Sequence, residues 1–182
     1  MTLAQDASKY ILEQLIQMLK ESNSKHIDEA IEVITSAHKI FVYGVGRSGL
    51  VAKAFAMRLV QLGLNVFFIG ETITPIVEAG DLVVIISSTG STMSAIQTAN
   101  IARRVGAKVL TFTGNSTSKL AHASNLVICI PDRKNHKTEK YAPLGTLFED
   151  ATMIVLDGMI AMVMEKLGES EASMRGRHGI MV

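Results

Sequence analysis

Two short polar segments hold most of the residues in this chain that are fit for chemistry. Gly44-Val45-Gly46-Arg47-Ser48-Gly49 follows one apolar run, and Ser87-Ser88-Thr89-Gly90-Ser91-Thr92 follows another. Each begins where strand-forming residues stop and ends where a helical pattern starts. Glycine lets a backbone come close to a ligand, and hydroxyls donate hydrogen bonds. The start of a helix adds unpaired N–H groups and the positive end of a dipole. A phosphate dianion is satisfied by such donors without any lysine, the dipole contributing about 0.3–1 kcal/mol. Serine and threonine also cap helices and glycine also makes turns, so one segment alone reads equally well as punctuation. Two of them in one small domain point to a cradle for a sugar phosphate.

The first segment also fits Gly-x-Gly-x-x-Gly, with Glu71 at a suitable distance downstream for a ribose contact. A nicotinamide-dependent dehydrogenase is therefore the competing reading. Against it, 182 residues leave no second domain for a reducible substrate. A dinucleotide fingerprint also leaves the hydroxyl-rich 87–92 segment unexplained. No Gly-Lys-Ser/Thr follows the first segment, which excludes a Walker A loop.

The elements that must position these segments are legible from periodicity. Helical spacing of apolar residues predicts helices over 3–21 and about 26–37, and, between the later apolar runs, over 48–62, 74–79, 92–104 and 117–122, with a long one over 145–167. Apolar runs at 40–43, 66–69, 82–86, 109–113 and 126–130 read as strands. They are continuously apolar rather than alternating, as expected of a parallel sheet covered on both faces. The repeated strand–helix unit predicts an α/β fold, a three-layer doubly wound five-stranded parallel sheet of order 2-1-3-4-5. In that order the first and third strands are neighbours whose helices leave to opposite faces. A crevice then opens at their carboxyl ends, where both polar segments lie. The chain reads as a single domain over 1–182, with N-terminal helices in 1–38, the sheet in 39–131 and C-terminal helices in 145–182.

A net charge of +1 gives no electrostatic case for nucleic acid or for an anionic membrane surface. The longest apolar stretch, 153–164, is too short to span a bilayer and carries Asp157. Residues 1–6 lack the basic start and apolar core of a signal peptide, so a cytoplasmic protein is expected. A mean hydropathy of +0.29 is rich for a solitary monomer and predicts subunit contacts. The single cysteine, Cys129, sits in an apolar run and is expected to be buried and structural. Residues 133–140 read as a solvated loop at the mouth of the crevice, and Met153, Met159, Met162 and Met164 as packing residues. The five histidines show no metal-ligand spacing, so neither a metal nor a cofactor is expected.

These features resemble the SIS (sugar isomerase) domain, a phosphosugar-binding module. One branch is closer still. The stretches 46–59, Gly70-Glu71-Thr72-Ile73-Thr74-Pro75, Ala142-Pro143-Leu144-Gly145-Thr146-Leu147-Phe148-Glu149 and Arg177-His178 resemble 6-phospho-3-hexuloisomerases in order and spacing over nearly the whole chain. The resemblance implies interconversion of D-arabino-hex-3-ulose 6-phosphate and fructose 6-phosphate in ribulose monophosphate formaldehyde fixation, by a metal-free homotetramer. It implies substrate binding by Gly46, Arg47, Ser48 and by Ser87, Ser88, Thr89, Gly90, Ser91 and Thr92. It makes Glu149 the proton acceptor, and it sends His178 into a neighbouring subunit's site. The second loop of that branch usually reads Ser-Gly-Ser-Gly-Glu-Thr; here Ser88, Thr89 and Ser91 stand for Gly, Ser and Glu. The acid usual after the histidine is missing. A non-catalytic sensor built on the same loops is the alternative of a different class.

Glu149 also stands out on physical grounds. Helical spacing sets it on the stripe of Met153, Leu156, Ile160 and Val163, so a carboxylate closes the edge of an apolar face. A positioned base of this kind is worth typically ~10²–10⁴-fold in rate. Asp157 projects away from that stripe and reads as a capping or contact residue.

Overall fold

The computed structural model describes residues 2–22, 26–132 and 135–179. Two helices, α1 (Leu3–Glu21) and α2 (Ile27–Ser36), precede the strands β1 (Ile40–Gly44), β2 (Val66–Phe68), β3 (Leu82–Ile86), β4 (Lys108–Thr113) and β5 (Leu126–Cys129). Between and after these strands come α3 (Arg47–Gln61), α4 (Met93–Arg104), α5 (Lys119–His122), α6 (His136–Tyr141), α7 (Thr146–Leu167) and α8 (Glu171–Gly176). All strand pairs are parallel and the order is β2-β1-β3-β4-β5, as the periodicity predicts.

The strands are apolar along their length because alternate side chains feed two separate cores. Ile40, Val42, Leu82, Val84, Ile86, Leu110 and Phe112 point into the larger core, closed by α1, α2, α3 and α7. Phe41, Val83, Ile85 and Val109 point the other way, toward α4 and α5. There Ala95, Ala99 and Ala102 repeat at helical spacing and let α4 lie close to the sheet. Each large side chain taken out of water, such as Phe55 or Leu59, contributes roughly 1.5–3 kcal/mol. Met153, Met159, Met162 and Met164 all pack in or against the larger core, and Asp157 is exposed.

Three local expectations fail. Residues 74–79 form no helix. Pro75 disfavours helical backbone at Thr74, whose hydroxyl instead donates to the carbonyls of Phe68 and Glu71 at 2.9 and 2.7 Å. Further along, the N–H of Glu78 is taken by the buried Asp81 carboxylate at 2.8 Å. Side chains thus satisfy this segment in place of a helical ladder, and the β2–β3 crossover carries no helix. The 133–140 stretch is not all loop, since α6 starts at His136. Cys129 is half-buried rather than buried.

Candidate active site

Neighbouring strands β1 and β3 pair with Gly44 opposite Ile86, so the two polar loops leave the sheet side by side. Gly44 and Gly49 let the first turn of α3 press on the end of its strand. A Cβ on Gly44 would stand 2.7 Å from the Ser48 carbonyl carbon, and one on Gly49 2.6 Å from the Gly44 carbonyl oxygen. This contact sinks Ser48 to 7% exposure. In the second loop Gly90 has φ +60°, and a Cβ there would meet Ser118 Oγ at 2.1 Å. That glycine lets the loop fold down onto the start of α5, where Leu120 N–H donates to Gly90 O at 3.1 Å.

Neither α3 nor α4 receives a side-chain cap at its start, so first-turn N–H groups of both helices stay available to a ligand. Between them lies a cavity of about 130 Å³ lined by Val45, Ser48, Ser87, Ser88, Thr89 and Thr92, among others. Through Ser88 and Thr89 it adjoins a larger cavity of about 360 Å³, which Glu149 lines. That volume is within the range of small-ligand sites.

Glu149 reaches the crevice because Gly145, at φ +86°, starts α7 and sets the carboxylate one turn in. It is 7% exposed. Arg47 Nε donates to Oε2 at 2.6 Å and Ser48 Oγ donates to Oε1 at 3.3 Å. The same guanidinium sends Nη2 toward Asp150 Oδ1 at 3.4 Å. Burial holds the Asp150 carboxyl above the usual carboxylate range, with Arg47 pulling the other way. A buried carboxylate thus lines the larger cavity and is hydrogen-bonded to Ser48, which lines the smaller one.

The sequence-predicted residues divide accordingly. Ser48, Ser87, Ser88, Thr89, Thr92 and Glu149 come together. Gly46 and Gly90 shape the loops, and the Ser91 hydroxyl turns back to Thr89 Oγ1 at 2.8 Å. Arg47 grips Glu149 and Asp150 and does not line the smaller cavity. His178 does not join them within the chain. It lies with Arg58 and Gln61 at the far end of α3, about 20 Å along the helix from Ser48. Sequence reasoning missed Asp132, Thr138 and Glu139, which line the larger cavity. The available signal was Asn135, whose side chain caps α6 by accepting from the Thr138 N–H at 2.9 Å. Thr138 is further fixed by the Tyr10 hydroxyl at 2.8 Å. Among the described residues no group of three or more His, Cys, Asp or Glu side chains is placed to hold a metal ion. No helix among them is long and apolar enough to cross a membrane.

A family model described as the SIS domain matches residues 33–158, which contain both loops and Glu149. The chain belongs to the SIS domain family. This SIS domain is 37% identical over 172 residues to the 3-hexulose-6-phosphate isomerase of Bacillus subtilis, covering 92% of this chain and 93% of that one. It is 38% identical over 152 residues to the protein of the same name from Methanocaldococcus jannaschii, covering 84% and 82%. Among solved structures it superposes with a TM-score of 0.84 and 32% identity on a Methanococcus jannaschii protein, over 94% of this chain and 97% of that one. For that structure a molecular function of 3-hexulose-6-phosphate isomerase was inferred.

Proposed function

We propose that this SIS domain interconverts D-arabino-hex-3-ulose 6-phosphate and D-fructose 6-phosphate, the isomerisation step of ribulose monophosphate formaldehyde fixation. The observation that carries this reading is the position of Glu149, buried in the lining of the larger cavity and hydrogen-bonded to Ser48 of the smaller one. The names of the relatives supply the sugar.

In this mechanism the phosphate sits in the smaller cavity, held by the hydroxyls of Ser48, Ser87, Ser88, Thr89 and Thr92 and the free N–H groups at the start of α4. The carbon chain extends into the larger cavity past Glu149. Arg47 fixes Oε2, which leaves Oε1, with only the longer Ser48 bond, to meet the substrate. Glu149 takes the C2 proton, the C–H electron pair forms a C2–C3 double bond, and the C3 carbonyl oxygen takes a proton from solvent water to give the enediol. The O2 proton then passes back to water, forming the C2 carbonyl, while Glu149 returns its proton to C3. The reaction is redox-neutral within one molecule and uses no external electron acceptor.

His178 acts in a neighbouring subunit's site in this reading, which makes the functional unit an oligomer, and the family resemblance makes that oligomer a homotetramer. Exposed Leu12 and Ile16 on α1 and Ile154 on α7 supply apolar surface for such contacts. A charged sugar phosphate substrate suits a cytoplasmic setting. The decisive assay supplies the 3-hexulose phosphate and follows fructose 6-phosphate, with glucosamine 6-phosphate and arabinose 5-phosphate as controls. Turnover of the first alone is expected; binding without turnover would make the chain a sensor. His178→Ala should depress kcat, and mixing it with Glu149→Gln should restore activity in hybrid assemblies. Full activity of His178→Ala removes the histidine from the mechanism.

A further inference from the structure

Residues 82–131 contain no aspartate or glutamate but carry Arg103, Arg104, Lys108 and Lys119. This stretch has a charge of +4 against +1 for the whole chain, so the remaining residues sum to −3. It builds β3, α4, β4, α5 and β5, so the two helices of the smaller face are entirely free of acids.

On that face a shallow, open depression of about 510 Å³ runs between α4 and α5, lined by Ile96, Asn100, Arg103, Thr117, Lys119 and His122 together with Ala123. Ile96, Asn100 and Arg103 follow one another at helical spacing and form one wall, while Lys119 and His122, three apart on α5, form the other. No carboxylate lines the groove. Among the described residues no ion pair engages Arg103 or Lys119. His122 Nδ1 donates to the Ser118 carbonyl at 2.8 Å, so the neutral ring carries its lone pair on Nε2 and adds no donor for an anion.

We propose that this groove is a second anion site, for a small molecule bearing a phosphate or diphosphate group. Arg103 and Lys119 supply the charge, Asn100 a neutral polar contact, and Ile96 and Ala123 an apolar patch for the ligand's carbon skeleton. Two features favour a small ligand over a macromolecule. Arg103 and Lys119 line the same depression from facing helices, so one compact anion can meet both. No Phe, Tyr or Trp side chain lines it to stack a nucleic-acid base. The site is distinct from the catalytic crevice, and α5 links the two, because the Leu120 N–H donates to the Gly90 carbonyl of the substrate loop.

The test is calorimetric titration of inorganic pyrophosphate into the full chain preloaded with fructose 6-phosphate, compared with the double variant Arg103→Gln/Lys119→Gln. One pyrophosphate per chain is expected beyond the sugar phosphate, with affinity falling about tenfold or more in the double variant as two charge-assisted contacts are lost. Circular dichroism and isomerase turnover should be unchanged, since neither side chain is in the crevice. No pyrophosphate binding, or equal binding in both proteins, overturns the proposal. A decaglutamate peptide run in parallel separates the sources: binding of the peptide with pyrophosphate silent makes the face an acidic-protein surface and also overturns it. The comparison of the two proteins holds without fructose 6-phosphate, so failure of the isomerase reading would show separately as absence of sugar phosphate binding.

Discussion

Replacing Glu149 by glutamine separates its chemistry from its packing. Glutamine keeps the shape, and its amide oxygen can still accept from Arg47 Nε, now 2.6 Å from Oε2. The ion pair is lost, but the Arg47 side chain is 54% exposed and retains Asp150, so the guanidinium is not stranded. The fold should therefore lose only about 1 kcal/mol. The phosphate-binding hydroxyls are untouched except Ser48, which now faces the amide NH2 and turns to accept from it instead of donating, so KM should change little. Turnover should collapse, because an amide cannot take the C2 proton. The expected loss of two to four decades in kcat corresponds to about 2.7–5.5 kcal/mol of transition-state stabilisation. The assay couples fructose 6-phosphate formation to hexose phosphate oxidation. A second readout follows deuterium from solvent appearing at C3 of the product, which the variant should abolish. A variant within fivefold of the wild-type kcat, or one that still exchanges deuterium, refutes the assignment of the proton carrier.

Arg47→Gln leaves the buried Glu149 carboxylate with only its Ser48 bond, which should lower stability by about 1–3 kcal/mol and depress kcat more than it raises KM; normal kcat would show that the ion pair is ornamental to turnover. Gly90→Ala sets a methyl group 2.1 Å from Ser118 Oγ at φ +60°. It should cost about 2–4 kcal/mol, lower the melting temperature by roughly 5 °C or more and raise KM; an unshifted melting curve contradicts the left-handed turn at this glycine. Arg177, and after it Ser173, holds the Glu169 carboxyl down at about 2, against an ordinary 4.5. A depressed acid stabilises the fold above its unfolded value, so the tie between α8 and the end of α7 should hold down to about pH 4.5 and be lost from there toward pH 2. Hydrogen exchange of α8 amides checks this, and protection already lost between pH 7 and 5 would contradict it.

The sheet order and both loops were legible because the signal is local and redundant: unbroken apolar strands followed by Gly/Ser/Thr turns allow few other arrangements. The helix wrongly expected over 74–79 shows the limit. Its apolar residues, Ile76 and Val77, suit a helix, but Pro75 and the reach of Asp81 to the Glu78 N–H settle the backbone, and that hydrogen bond is tertiary. Glu149 was legible from its place on a helical stripe. Its partners were not, since the bond from Arg47 joins residues 102 apart in sequence and depends on how α3 and α7 dock. Thr138 and Glu139 escaped for a related reason. A charged run reads as solvated until Tyr10, 128 residues away, is seen to pin Thr138.

The contact between Arg47 and Glu149 has a bearing on biosynthesis. A nascent chain has made both anion-binding turns by residue 92, gains the Gly114 and Leu120 contacts that hold the second one soon after, and acquires its acid only after Glu149 has left the ribosome and α7 has docked. Ligand retention should thus precede competence for turnover as the polypeptide emerges. The backbone between β5 and α7 is then a rational place to split the gene, since two inactive halves joined there would regain activity only on reassembly.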